Sequence, residues 1–377
     1  MKKYTVAIAA AGTAGHVNPG IAIANKIKEK RDDVDIIFIG TERGIEGDLV
    51  EKAGYDLKLI KAYGFAISPT PVNIKRQFIN LFLSKGMAKK VLKENDVDLV
   101  IGTGGYITYA VGRAAKSLNI PIVFHESNAY PGLAIRAQNK KANKILIGFE
   151  NSKEFFKYQD NVKFVGNPIS ITKKEINKEE VFDKLGLLPN KKTILVFGGS
   201  QGARQINNAI VPLIIKDFFK NEDFQLIFAT GKNNYEGIKE NLKENGKHIN
   251  NIENVKIFPY IYNMEEILNS VDIAVTRAGA ITVSEILEVM LPTIFIPLPS
   301  QKANRQIDNA KLLEKNGGAE IILNEELNSE VLEQKLLFIL NNEDKLSVMR
   351  KNIEANREEN HALDKIYDEI KEYIEEK

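Results

Sequence analysis

Cysteine is absent from the 377 residues. That excludes disulfides and thiolate metal sites, and it fits a reducing compartment. No run approaches the roughly 20 apolar residues that span a bilayer. The N-terminal Met1-Lys2-Lys3-Tyr4 leads straight into a short strand, which is not the pattern of a signal peptide. Histidine is scarce, and His16, His125, His248 and His361 lack metal-ligand spacing. Two triplets, Asp33-Val34-Asp35 and Asp96-Val97-Asp98, each precede an apolar strand. At the amino edge of a sheet they read as solvated turns. Neither a metal nor a cofactor is therefore expected. No serine elbow, low-complexity tail or strong net charge is present, the formal value being +2, and no nucleic acid partner is expected.

What the chain has is glycine placed after apolar strands. Short continuous apolar runs stand at 5–10, 35–39, 57–60, 99–101, 121–124, 144–147 and 162–165, then at 193–197, 225–229, 255–258, 273–275 and 293–296. Amphipathic stretches separate them. Continuous rather than alternating apolar runs mark parallel strands buried on both faces. The length calls for two cores. The expected fold is α/β, with two doubly wound Rossmann-like parallel-sheet domains at 1–166 and 167–350 facing each other across a cleft. The charged stretch 351–377 is expected to be a surface helix packing back on the first domain.

Three turns, Ala11-Gly12-Thr13-Ala14-Gly15-His16, Gly102-Thr103-Gly104-Gly105-Tyr106 and Gly198-Gly199-Ser200-Gln201-Gly202, each open a helix. Such junctions aim unpaired N–H groups and a positive helix end at one spot, where phosphates bind. His16 falls in a first helical turn. A positive terminus keeps its imidazole neutral and able to accept a proton; the alternative is a histidine that caps or packs. Tyr106 sits in the corresponding place in the second loop, whose alternative reading is a tight turn without ligand.

Further polar groups follow strand ends. In His125-Glu126-Ser127-Asn128, Glu126 can orient a base or bind a sugar hydroxyl, and Ser127 or Asn128 can instead cap a helix. In Thr276-Arg277-Ala278-Gly279-Ala280-Ile281-Thr282-Val283-Ser284-Glu285, the carboxylate of Glu285 is placed to hold a ribose diol, or is a first-turn acid favoured by the helix dipole. Gln306 and Asn309 reach for a sugar or are ordinary exposed residues.

The stretch 72–93 differs in kind. Apolar Val72, Ile74, Phe78, Phe82 and Met87 intermix with Lys75, Arg76, Lys85, Lys89, Lys90 and Lys93, without an acid. That pattern suits an anionic membrane surface, at about 1 kcal/mol per cation. Its alternative is a crossover helix packed on the sheet. Lys140, Lys141 and Lys144 extend the same patch.

Taken in order, Gly-Thr-x-Gly-His at 12–16, Gly-Gly-Tyr at 104–106, His-Glu-x-Asn at 125–128, Gly-Asn-Pro at 166–168, Gly-Gly-Ser-Gln-Gly-Ala at 198–203 and Arg-x-Gly-Ala-x-Thr-Val-Ser-Glu at 277–285 resemble the MurG family of peptidoglycan N-acetylglucosaminyltransferases over nearly the whole chain. The resemblance implies a GT-B fold. It also implies metal-independent, inverting transfer of N-acetylglucosamine from UDP-GlcNAc to the C4 hydroxyl of MurNAc in undecaprenyl-diphosphate lipid I, giving lipid II. Carried over residue by residue, the donor contacts are Thr13, Ala14, Gly15, Asn128, Ser200, Ile261 (for uracil), Ala280, Ile281, Thr282, Val283, Ser284, Glu285 and Gln306. Gly12, Gly104 and Gly105 would meet the acceptor diphosphate. His16, Glu126 and Tyr106 are the catalytic candidates. Ile74, Lys75, Arg76, Phe78, Phe82 and Lys89 would rest on the anionic cytoplasmic membrane surface, making the protein peripheral at the cytoplasmic face of the plasma membrane. Two departures stand out: Ala11 and Ala14 replace family glycines, and Ser170 stands where many members carry an arginine near the donor diphosphate. The alternatives are a UDP-GlcNAc 2-epimerase or glycolipid transferase of the same fold, or a non-catalytic nucleotide-sugar-binding protein.

Overall fold

The computed structural model describes residues 3–42, 46–63, 72, 82–199, 202–299, 305–357 and 361–375. The chain forms two compact units, one of residues 1–170 with 360–377 and the other of 171–359.

The first unit holds a seven-stranded sheet of β1 (Tyr4–Ala10), β2 (Val34–Gly40), β3 (Asp56–Leu59), β4 (Leu99–Gly104), β5 (Ile122–Glu126), β6 (Lys144–Ile147) and β7 (Val162–Phe164), in the order β3-β2-β1-β4-β5-β6-β7. Every pairing is parallel. β1 shows why its residues are apolar on both faces. Val6, Ile8 and Ala10 pack with Val17, Ile23 and Ile27 of helix Ala14–Lys30, while Ala7 and Ala9 join Ile107 and Val111 of helix Ile107–Lys116 on the other side. At about 25 cal/mol per Å² of apolar surface removed from water, these two layers are the main stabilising term of the unit.

The chain returns to this unit at its end. Helix Ala362–Ile370 buries Ile366 and Ile370 against the β1–helix 14–30 layer. Asp364 pairs with Lys26 at 2.8 Å, and Lys144 lies 2.8 Å from both Glu369 and Glu372. Lys144 is thus neutralised by its own chain and does not extend a basic surface. The preceding charged helix, Glu343–Ala355, belongs to the other unit.

The second unit holds β8 (Thr193–Phe197), β9 (Gln225–Ala229), β10 (Val255–Phe258), β11 (Ile273–Thr276), β12 (Thr293–Phe295) and β13 (Ala319–Ile321), all parallel, in the order β10-β9-β8-β11-β12-β13. β13 is missing from the apolar runs in the sequence. It is three residues long with Glu320 at its centre, and it pairs on one side only.

In each unit the strand order reverses once, between β1 and β4 and between β8 and β11. Connections leave in opposite directions at such a switch point, and they open a crevice at the carboxyl ends of the two strands. The turns after β1, β4 and β8 and the segment that begins at Arg277 after β11 all sit there.

Candidate active site

In the first unit the turns after β1 and β4 are locked together. Thr13, extended at φ −139°, ends the first turn, and helix Ala14–Lys30 starts without an acid in its opening turn. Ala14, Gly15 and His16 are its first three residues, where N–H groups lack intrahelical acceptors; Thr13 O takes the N–H of His16 at 3.0 Å. The half-buried His16 ring places Nδ1 3.2 Å from Ala11 O and 3.3 Å from Thr13 Oγ1. A carbonyl oxygen only accepts, so Nδ1 carries the proton and Nε2 is the basic nitrogen. The His16 carbonyl takes the Thr103 hydroxyl at 2.7 Å. The other ring edge lies on Gly104: a Cβ there would stand 2.4 Å from His16 Cδ2, and one at Gly105 would stand 2.6 Å from Ala11 O. Both glycines also have positive φ, at +121° and +78°. Residues larger than glycine would therefore push the two turns apart. Tyr106 ends the second turn, its hydroxyl 3.4 Å from Thr41 Oγ1.

Beneath the first turn, at the end of β2, lies Glu46, which the sequence reading did not single out. Its side chain is fully buried. Oε1 accepts the N–H and the hydroxyl of Thr41, each at 2.7 Å, and Oε2 accepts the N–H of Gly12 at 3.2 Å. The Gly12 amide, expected to meet an acceptor diphosphate, is engaged by this carboxylate instead. The partners are 34 residues apart and no local motif joins them.

The polar run at 125–128 is part strand, since β5 continues through Glu126. Glu126 organises its own loop: Oε1 accepts the N–H and the Nδ2 of Asn128, both at 3.0 Å, and Oε2 accepts the N–H of Gly132 at 2.6 Å. The next helix, Leu133–Arg136, starts after Gly132, so neither Ser127 nor Asn128 caps it. His125 is fully buried, with Nε2 donating to Gly166 O at 3.0 Å and Nδ1 3.3 Å from Ser127 Oγ. Burial pushes its pKa down to about 4, so it is a neutral structural strut.

In the second unit Ser200 lies outside the described residues. On either side of it, Gly199 and Gly202 have φ of +85° and +75° and are joined by a 3.0 Å hydrogen bond, and helix Arg204–Ile215 follows. Arg204 is exposed. Arg277, after β11, is 8% exposed. Its guanidinium donates to Ile296 O at 2.9 Å, to Pro297 O at 3.3 Å, to Asn324 Oδ1 at 2.8 Å and to Gln205 Oε1 at 3.1 Å. No carboxylate pairs with it among the described residues. Burial lowers its pKa, the signature of a cation held without a counter-charge.

Helix Ala280–Val289 opens after Gly279, again without a first-turn acid. Ala280, Ile281, Thr282 and Val283 form its first turn. Ser284 is buried, and Glu285 is the sixth residue, beyond the reach of a first-turn dipole role. Burial pushes the Glu285 carboxyl up to about 7. Ile261, after β10, is buried. Gln306 accepts the N–H of Leu298 at 2.8 Å, and fully buried Asn309 donates to Ala278 O at 3.1 Å, so these two brace the neighbouring loops.

Of the basic apolar stretch, Ile74, Lys75, Arg76 and Phe78 lie outside the described residues. Helix Ser84–Glu94 buries Ala88 and Leu92 in the first unit's core, as a crossover helix does. Just before it Phe82 and Leu83 are 63% and 50% exposed. Lys89 is half-buried on that helix, and Lys90 and Lys93 are exposed. Among the described residues no helix is long and apolar enough to cross a membrane.

Residues 6–147 match the glycosyltransferase family 28 N-terminal domain, and residues 193–365 match the family 28 C-terminal domain. A protein of Acetivibrio thermocellus named UDP-N-acetylglucosamine--N-acetylmuramyl-(pentapeptide) pyrophosphoryl-undecaprenol N-acetylglucosamine transferase is 38% identical over 375 residues, 99% of each chain. The crystal structure of Acinetobacter baumannii MurG superimposes with a TM-score of 0.73 at 26% identity, covering 98% of this chain and 99% of that one. The chain belongs to the MurG family of glycosyltransferases. Its two sheets are those of the GT-B fold. A UDP-GlcNAc 2-epimerase from Neisseria meningitidis shares that fold, with a TM-score of 0.66 and coverage of 98% and 100%, but at 15% identity the likeness extends to the fold alone. Within the MurG frame, Glu46 and the buried Arg277 are the charged groups that sequence motifs did not assign. Arg277 was visible inside a motif; its burial and lack of a carboxylate were not.

Proposed function

We propose that the chain transfers N-acetylglucosamine from UDP-GlcNAc to the C4 hydroxyl of the MurNAc unit of undecaprenyl-diphosphate lipid I, forming lipid II with inversion at the anomeric carbon. The observation that carries this reading is the end-to-end 38% identity to a transferase of that name. Each unit holds groups suited to part of this chemistry. His16 Nε2 takes the proton of the attacking hydroxyl as the new C–O bond forms. The anomeric bond to UDP breaks, and negative charge grows on the β-phosphate. The helix start at 204 and the guanidinium of Arg277, both in the second unit, would meet that charge. Glu285 takes the ribose hydroxyls, with Ile261 at the uracil and Ser200 at the diphosphate. Glu126 acts by fixing Asn128, and Tyr106 by closing the second turn. Phe82, Leu83 and the lysines of helix 84–94 rest on an anionic membrane surface at the cytoplasmic face.

The test is UDP release measured with UDP-GlcNAc and a lipid I analogue bearing a short, water-soluble tail. Release that requires both substrates is the expected result. Tight donor binding without turnover would reduce the chain to a binding protein, and appearance of the mannosamine epimer from UDP-GlcNAc alone would make it an epimerase.

A further inference from the structure

A peptide group has its donor on one edge and its acceptor on the opposite edge. The peptide between Ala11 and Gly12 is used on both. Its carbonyl oxygen lies 3.2 Å from His16 Nδ1, and its N–H donates to Glu46 Oε2 at 3.2 Å. The positive φ of Gly12, +96°, turns this amide toward Glu46, a conformation that side-chain-bearing residues rarely adopt. The carboxylate cannot swing away, because Oε1 is held by the N–H and hydroxyl of Thr41 and the side chain is fully buried.

We propose that Glu46 is a positioning residue for transfer, coupled to His16 through the Ala11–Gly12 peptide. A carboxylate on the N–H edge draws the peptide's electrons toward its carbonyl oxygen. That oxygen then accepts the Nδ1–H more strongly, holds the ring in the tautomer with Nε2 basic, and stabilises the imidazolium once Nε2 has taken a proton. The role corresponds to that of a carboxylate bonded directly to a catalytic histidine, at one peptide's remove. Tyr106 touches this network through the Thr41 hydroxyl. The inference rests on His16 serving as the base, and its test separates the two claims.

Glu46→Gln keeps the shape and an oxygen for Gly12 but removes the charge. The expected result is a kcat lower by roughly 10- to 100-fold, the range found when carboxylates behind metal-ligating histidines are removed, with the KM for UDP-GlcNAc unchanged. The acid limb of the pH–rate profile and the His16 midpoint, read by NMR of labelled histidine, both move to lower pH, and Glu46→Asp recovers part of the loss. In the unaltered protein, the 13C signal of the Glu46 carboxyl steps at the His16 midpoint, a readout that needs no variant. A folded Glu46→Gln protein with an unmoved His16 midpoint, or a Glu46 signal blind to His16, overturns the coupling. Undiminished turnover by His16→Ala instead overturns the base assignment, and the NMR readouts then still decide the coupling.

Discussion

The crevice of the first unit is closed on itself, and that of the second is not. After β1 and β4, Gly12, Ala11, His16 and Glu46 satisfy one another, and the glycines of the second turn lie in contact with the first. After β8 and β11, a buried guanidinium is held only by neutral oxygens, and a carboxyl at 285 has its ionisation pushed up by burial. Under the proposed function, the contrast follows what each side would be asked to do. A base must be held in one tautomer and one orientation before substrate arrives, so its network is complete in advance. A site for a charged nucleotide is better left electrically incomplete, because a charge satisfied by the protein has less to offer the ligand.

The comparison breaks most visibly at Arg277. Removing a hydrogen-bonding charge of about 1.5–3 kcal/mol, Arg277→Met should weaken UDP-GlcNAc binding about tenfold to a hundredfold in calorimetry and leave the His16 titration unchanged. Unaltered donor affinity in a folded variant would mean that the guanidinium is merely structural.

Glu285 sharpens it through pH. Its carboxyl, ordinarily near 4.5, titrates at about 7 in the free protein. Below pH 7 it is neutral and a poorer acceptor for ribose hydroxyls, so donor affinity should fall as the pH is lowered from 8 to 6. Glu285→Gln should flatten that dependence and weaken binding at pH 8 by up to about tenfold, the scale of one or two neutral hydrogen bonds. Stability has the opposite sign. A raised native pKa means that the folded state loses stability as pH climbs from about 4.5 through 7, a slope that Glu285→Gln should remove from thermal melts. A donor affinity independent of pH would refute the ribose role.

The smallest effect concerns the membrane contact proposed for the first unit. Phe82→Ser with Lys89→Ser should lower co-sedimentation with anionic vesicles severalfold, each cation near such a surface being worth about 1 kcal/mol. Unchanged co-sedimentation would leave helix 84–94 as core packing only.

The strands were legible because parallel strands buried on both faces must be continuously apolar; Val6 through Ala10 show this at β1. β13 escaped because an edge strand with Glu320 at its middle carries no such run. Glycine turns revealed where the crevices lie, since positive φ at Gly104 and Gly199 demands that residue type. Partnerships across the fold were not legible. Nothing near Gly12 announces Glu46, nothing at 309 announces that Asn309 is buried beneath Ala278, and the lysine at 144 looks like a surface cation until Glu369 and Glu372 are brought to it. Hydrogen-bond partners distant in sequence are set by topology, and residue type alone does not encode them.

The return of residues 361–375 to the first unit carries a consequence for synthesis. The layer formed by Val17, Ile23 and Ile27 is finished only by Ile366, Ile370 and Ile374. On the ribosome, that surface of the opening 170 residues is therefore uncovered while residues 171–359 are translated. Loss of residues 361–375 would uncover that layer in the unit that holds His16.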